Sequence, residues 1–163
     1  MTGAVDPLAL LENLPLAVAL RESPWLYPAV EIVHIVGLVL LVGSAAMLDL
    51  RLLGLSKSIP VTALSRHTLP WSAGALILIV PSGLLLFTAN AGDLIGSGVF
   101  LTKMTLLMSA ACNALWFRVG PYQSVAGWDT GVPAPLAARL SAGLSLLLWL
   151  AVISCGRMLA YTT

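Results

Sequence analysis

The chain has 163 residues, of which 59% are hydrophobic and only 9% charged, and its mean hydropathy is +0.98. Soluble globular domains carry about 25% charged residues, so this composition excludes a water-soluble domain and places the chain in lipid. A net charge of +1 with no basic run gives nucleic acid no footing, and the length suits one helical bundle with short loops.

The N-terminal stretch MTGAVDPLALLENLPLAVALRES lacks a positive start and contains Asp6, Glu12 and Glu22, so no cleavable signal peptide is expected. Asp6 followed by Pro7 reads as a helix cap with proline at the first helical position. It opens a leucine-rich stretch that Pro15 interrupts, which predicts a short helix lying in the membrane interface. Four apolar runs follow, at 28–53, 70–89, 99–119 and 136–160, each near the ~20 residues that cross a bilayer core. In lipid the backbone must satisfy its own hydrogen bonds, and no run alternates as a barrel strand does, so all four are expected to be helices. The connections at 54–69, 90–98 and 120–135 are rich in Gly, Pro, Ser and Asp. Pro81 lies inside the second span and is expected to kink it. Trp25, Tyr27, Trp71, Trp116 and Tyr161 fall near span ends, where aromatic belts sit. The predicted fold class is all-α: a membrane-embedded four-helix bundle with a short N-terminal interfacial helix, forming one domain.

Orientation follows from the cations. The side holding the first and third connections carries Arg51, Lys57, Arg66, Arg118 and Arg139, and the other side carries Arg21, Lys103 and Arg157. By the positive-inside rule both termini face outward, which in a bacterial inner membrane means the periplasm.

Advancing ~100° per residue from His34, Glu31, Leu38, Ala45 and Asp49 fall within about 60° of it and form one stripe. Acidic groups beside hydrocarbon turn toward protein or water, so this stripe is expected to be the buried face of span one. In span four Arg139, Gly143, Leu146, Leu150, Ser154 and Arg157 share a face. Glu31 and Asp49 are 18 residues apart, as are Arg139 and Arg157, or roughly 27 Å along a helix. With the two spans running in opposite directions, Glu31 would be level with Arg157 and Asp49 with Arg139. The spacing predicts that spans one and four pack together with an ion pair at each surface. Small residues in all four spans allow close approach.

At the outer end His34 and Glu31 would meet Lys103 and Arg157 at similar depth. Intramembrane ionisable groups mark functional sites by default, although a satisfied polar clamp would use the same residues. Histidine is an axial haem ligand; Gly37 would leave room for a flat ring, and Lys103 and Arg157 would pair with propionates. The second histidine, His67, lies at the opposite surface, where a solvated role is expected, so Met104 or Met158 would complete a His/Met site for haem b or copper. A histidine from a second copy is the other source. A quinone head group would use the cluster without iron. Cys112 and Cys155 sit at different depths, which excludes a disulfide between them, and no catalytic residue set is apparent.

The run WLYPAVEIVHIVGLVLLVGSAAMLDLRLLGL from Trp25 to Leu55, LPWSAG at Leu69 and GRMLAY at Gly156 resemble a group of bacterial four-helix membrane proteins of unknown function. The resemblance covers most of the chain and rests on Glu31, His34, Asp49, Arg51, Trp71 and Arg157. A looser likeness to copper-resistance D and cytochrome b561-type membrane proteins rests on His34 and implies a haem-type site, although this sequence lacks the histidine pairs of those cytochromes. The expected function is that of a non-enzymatic redox or cofactor-binding component. A small transporter or channel using Glu31 and His34, a homo-oligomer, or a structural subunit of a larger membrane complex are the competing expectations.

Overall fold

The computed structural model of the protein describes residues 7–162; Asp6, the expected cap, lies outside them. The N-terminal stretch forms two short helices, α1 (Pro7–Glu12) and α2 (Pro15–Glu22), divided at Pro15 as the sequence suggests. The spans are α3 (Leu26–Leu53), α4 (Val61–Ala89), α6 (Gly98–Val119) and α7 (Leu136–Thr162), with α5 (Ala91–Gly96) between α4 and α6. A 3₁₀ segment, Pro121–Gly127, follows α6. All four long helices have the length and composition to cross a bilayer. The chain is an integral, multi-pass membrane protein.

Span two begins nine residues before the expected position 70. Pro60 immediately precedes α4. The Asp129 carboxylate, from the distant connection between α6 and α7, accepts from the Thr62 backbone N–H at 2.8 Å and from the Thr62 hydroxyl at 2.9 Å. A carboxylate at a helix start satisfies N–H groups that have no partner within the helix. Arg66, His67 and Pro70 therefore lie on a helix, and the first connection shortens to 54–60.

The burial pattern explains how the spans meet. In α4 the buried residues Val61, Thr68, Ala75, Ser82 and Ala89 recur every seven positions, and in α3 Gly37, Ser44 and Arg51 do the same. A sustained seven-residue repeat is the signature of left-handed, coiled-coil-like packing, and small residues along it let two backbones approach. The α3–α4 contact is the most extensive in the molecule, followed by α6–α7 and α3–α7. Neighbours in the membrane plane therefore run α4, α3, α7, α6. Spans one and four are adjacent, as the sequence predicts. Helices α4 and α6 make no comparable contact. They are joined through α5 and by the stacked rings of Phe87 and Phe100, whose centroids lie 5.8 Å apart.

The two ends of the bundle are built differently. At the end bearing the connections 54–60 and 120–135, here the loop end, Leu52, Val61, Phe117, Trp128, Ala134, Ala138 and Ala142 form one apolar core. At the opposite, N-terminal end, α1, α2 and α5 lie across the helix ends. There Arg21 donates to the carbonyls of Ala89 and Glu12, and Glu12 accepts from the Gly92 N–H.

Candidate functional site

His34 sits on the α3 face turned to α4. Its Nδ1 lies 3.0 Å from the Ser82 hydroxyl oxygen, and its ring packs against Gly83, where an added Cβ would come within 3.0 Å of Cε1. The Ser82 hydroxyl donates its single proton to the Leu78 carbonyl, so it can only accept from the imidazole. The Ile79 carbonyl lies 3.2 Å from the same hydroxyl and also engages His34, so the network accommodates an Nδ1–H tautomer of the neutral ring.

Two charged groups act on the imidazole through their fields: Lys103 of α6 and Glu31 of α3. Lys103 is half-buried on the line of α6 that continues through Ala110 and Phe117 at seven-residue spacing, and it lies near Cys155 of α7. Met104, the next residue, is also half-buried. Lys103 stands one turn into α6 beyond Phe100, and His34 meets α4 one turn below Phe87. Both therefore lie just beneath the Phe87–Phe100 bridge, where the α4–α6 side of the bundle opens to the bilayer.

The remaining expected site residues are arranged otherwise. Arg157 is exposed, with its guanidinium 4.6 Å over the Tyr161 ring and bonded to the Tyr161 hydroxyl. Met158 is exposed as well. Gly37 offers no room for a flat ring, because a Cβ there would fall 2.7 Å from Ile79 Cγ1, 3.1 Å from Leu78 Cβ and 3.2 Å from the Ala75 carbonyl oxygen. Its role is close approach of α3 to α4.

The two expected latches, Glu31 with Arg157 and Asp49 with Arg139, do not form. Glu31, Arg139 and Arg157 are exposed. Asp49 is 7% exposed, is bonded to Ser145 of α7, and has a buried Oδ2 without a hydrogen-bond partner. At the loop end α7 instead meets α3 through the buried small residues Ala138 and Ala142, which share an apolar cluster with Leu52. Long arginines on the outward face extend to the interface and solvate their charge there. Asp49 and His34 also part company: Asp49 faces α7 while His34 faces α4.

The polar assembly that sequence reasoning missed lies at the loop end. Arg51, 2% exposed, donates from Nε to the Ile59 carbonyl at 2.6 Å and from Nη2 to the carbonyls of Lys57 and Asp129 at 3.1 and 3.0 Å. Val61 N–H in turn donates to the Asp129 carbonyl, and Gly131 N–H to that of Lys57. One guanidinium thus ties both connections to the end of α3. Gly54, at φ 112°, ends that helix in the left-handed conformation that favours glycine. Deeper in the bundle, Asn113 and Ser141 exchange two 3.0 Å hydrogen bonds between α6 and α7. Cys112 and Cys155 are free thiols, and among the described residues no group of three or more His, Cys, Asp or Glu side chains could hold a metal ion.

This architecture defines a multi-pass membrane protein with a half-buried imidazole and ammonium near one end. The chain belongs to the family of unknown function DUF6644, whose profile matches residues 26–162, all four spans. No curated protein matches the chain, and no solved structure matches it.

Proposed function

We propose that the protein is a cofactor-binding redox component of the bacterial inner membrane, with both termini periplasmic, and that its cofactor is a quinone taken up from the bilayer at His34 and Lys103. The observation that carries this reading is the pairing of an imidazole held at Nδ1 by Ser82 with a half-buried ammonium that has no ion-pair partner among the described residues. A quinone carbonyl accepts from an ammonium, and a hydroquinone hydroxyl donates to an imidazole nitrogen, so the two groups match the two oxidation states. The unpacked α4–α6 side gives a lipid-soluble ligand a lateral entrance. Two electrons and two protons convert quinone to hydroquinone. The electrons are assigned to a partner carrying its own redox centre, and His34 and Glu31 are the groups placed to handle protons.

Haem is the second reading, favoured by the Ser82 contact, since iron-ligating histidines commonly use the ring nitrogen opposite a hydrogen-bonded one. Against it stand the filled space at Gly37 and the outward position of Arg157. Met104 is left as the methionine for a His/Met site with iron or copper.

The test is solvent extraction of the purified protein with quantification of quinone, together with its visible spectrum and elemental analysis. The expected result is co-purifying quinone that is lost in His34→Ala and Lys103→Ala and weakened in Ser82→Ala. A Soret band lost in His34→Ala replaces quinone with haem. Absence of quinone, haem and metal ends all three readings.

A further inference from the structure

The N-terminal end holds a second site, separate from His34. A cavity of about 430 Å³ opens between α2, the start of α3 and the α4–α5 junction, with Arg21, Ser23, Tyr27, Asn90 and Asp93 as its polar lining. That volume lies within the ~300–1,000 Å³ of small-molecule sites. Its charges are unusual in that Arg21 and Asp93 share the cavity without forming an ion pair. Arg21 is instead held by the carbonyls of Ala89, at 3.0 Å, and Glu12. Two of its five N–H groups are thereby used and three remain, on a planar fork suited to phosphate oxygens. The Asp93 carboxylate is exposed. The cavity sits at the end of the spans beside Trp25, which is 81% exposed, the level at which lipid head groups lie.

We infer that this cavity binds a zwitterion that carries a phosphate and a primary ammonium a short distance apart, the phosphate on Arg21 and the ammonium on Asp93. Ser23, Tyr27 and Asn90 supply further polar partners around the two charges. A trimethylated ammonium has no N–H to give Asp93, and a head group carrying only negative charge meets repulsion there. Phosphatidylethanolamine in the bilayer and free phosphoethanolamine are the two sources of this chemistry.

The experiment is native mass spectrometry of the full chain, released from nanodiscs containing equal parts of phosphatidylethanolamine, phosphatidylcholine and phosphatidylglycerol, with and without soluble phosphoethanolamine. The expected result is preferential retention of phosphatidylethanolamine. Asp93→Asn is expected to lower that preference about tenfold, the effect of losing one charge-assisted hydrogen bond. Asp93 makes no hydrogen bond within the described structure, so the variant is expected to keep wild-type thermal stability, and Arg21→Lys keeps the charge while losing the fork. Displacement of the lipid by soluble phosphoethanolamine identifies the head group alone as sufficient, and retention against it assigns the site to the lipid. Equal retention of the three lipids together with no binding of phosphoethanolamine overturns the inference, as does an unchanged preference in Asp93→Asn.

Discussion

The loop end and the N-terminal end of this bundle solve the problem of polar groups in opposite ways. At the loop end the buried Arg51 is held by three carbonyls, Asp129 closes the start of α4, and Trp128 plugs an apolar core. At the N-terminal end Lys103, Glu31 and Asp93 have no ion-pair partner among the described residues, and α4 parts from α6 below a single ring stack. A buried charge tied to several backbone carbonyls is structural, whereas one with no ion-pair partner beside an open side of the bundle is available to a ligand. That contrast separates Arg51 from Lys103 more sharply than depth or residue type does.

The contrast can be broken by substitution at either end. Arg51→Ala is expected to have the largest effect on stability, about 3–5 kcal/mol, because three charge-assisted hydrogen bonds and a buried side chain that ties both connections to α3 are lost together. Thermal unfolding in detergent measures it, and a loss under 1 kcal/mol would mean that the loop end is not locked by this residue. Gly37→Ala is expected to cost about 1–3 kcal/mol by overpacking, since its Cβ would meet Ile79 and the backbone of α4. A neutral result would show that the α3–α4 seam is looser than its distances indicate. Asp129→Asn is expected to lower stability by about 0.5–2 kcal/mol, the range for a lost helix cap, and to speed proteolysis within 54–60. His34→Ala removes the contacts of the ring with Ser82 and the Ile79 backbone, about 1 kcal/mol for each neutral hydrogen bond, yet is expected to abolish cofactor retention. A variant that unfolds as readily as Arg51→Ala would place His34 among the structural residues.

The four spans were legible because hydrophobic run length is a strong signal, and Pro15 correctly divided the N-terminal stretch. The start of α4 was not, since Arg66, His67 and Pro70 look like loop and the carboxylate that caps the helix is 67 residues away from Thr62. The pairing of Arg51 with the carbonyls at 57, 59 and 129 escaped for the same reason: backbone acceptors leave no mark in a sequence. The stripe uniting His34 with Asp49 came from the helical period. Fifteen residues at 3.6 per turn leave the two about 60° apart, whereas at the 3.5 of a coiled-coil seam they are roughly 100° apart and face different neighbours. The available signal was the run Gly37, Ser44, Arg51 set against Val61, Thr68, Ala75, Ser82, Ala89. Of the outer site, Lys103 and Glu31 both act on His34 through their fields, while Arg157 turns outward to Tyr161, because residue spacing along α7 does not fix which face of that helix meets the bundle.

The seven-residue seam between α3 and α4 also restricts how these helices can change in length. One inserted residue would turn everything beyond it by about 100°, taking His34 from Ser82 or Arg51 from its carbonyls. Seven inserted residues would restore the facing but lengthen the helix by roughly 10 Å, a third of a bilayer core of about 30 Å. Between the repeat of the seam and the thickness of the membrane, neither span has a permissible neighbouring length, and new sequence can enter this protein only through its connections and its two ends.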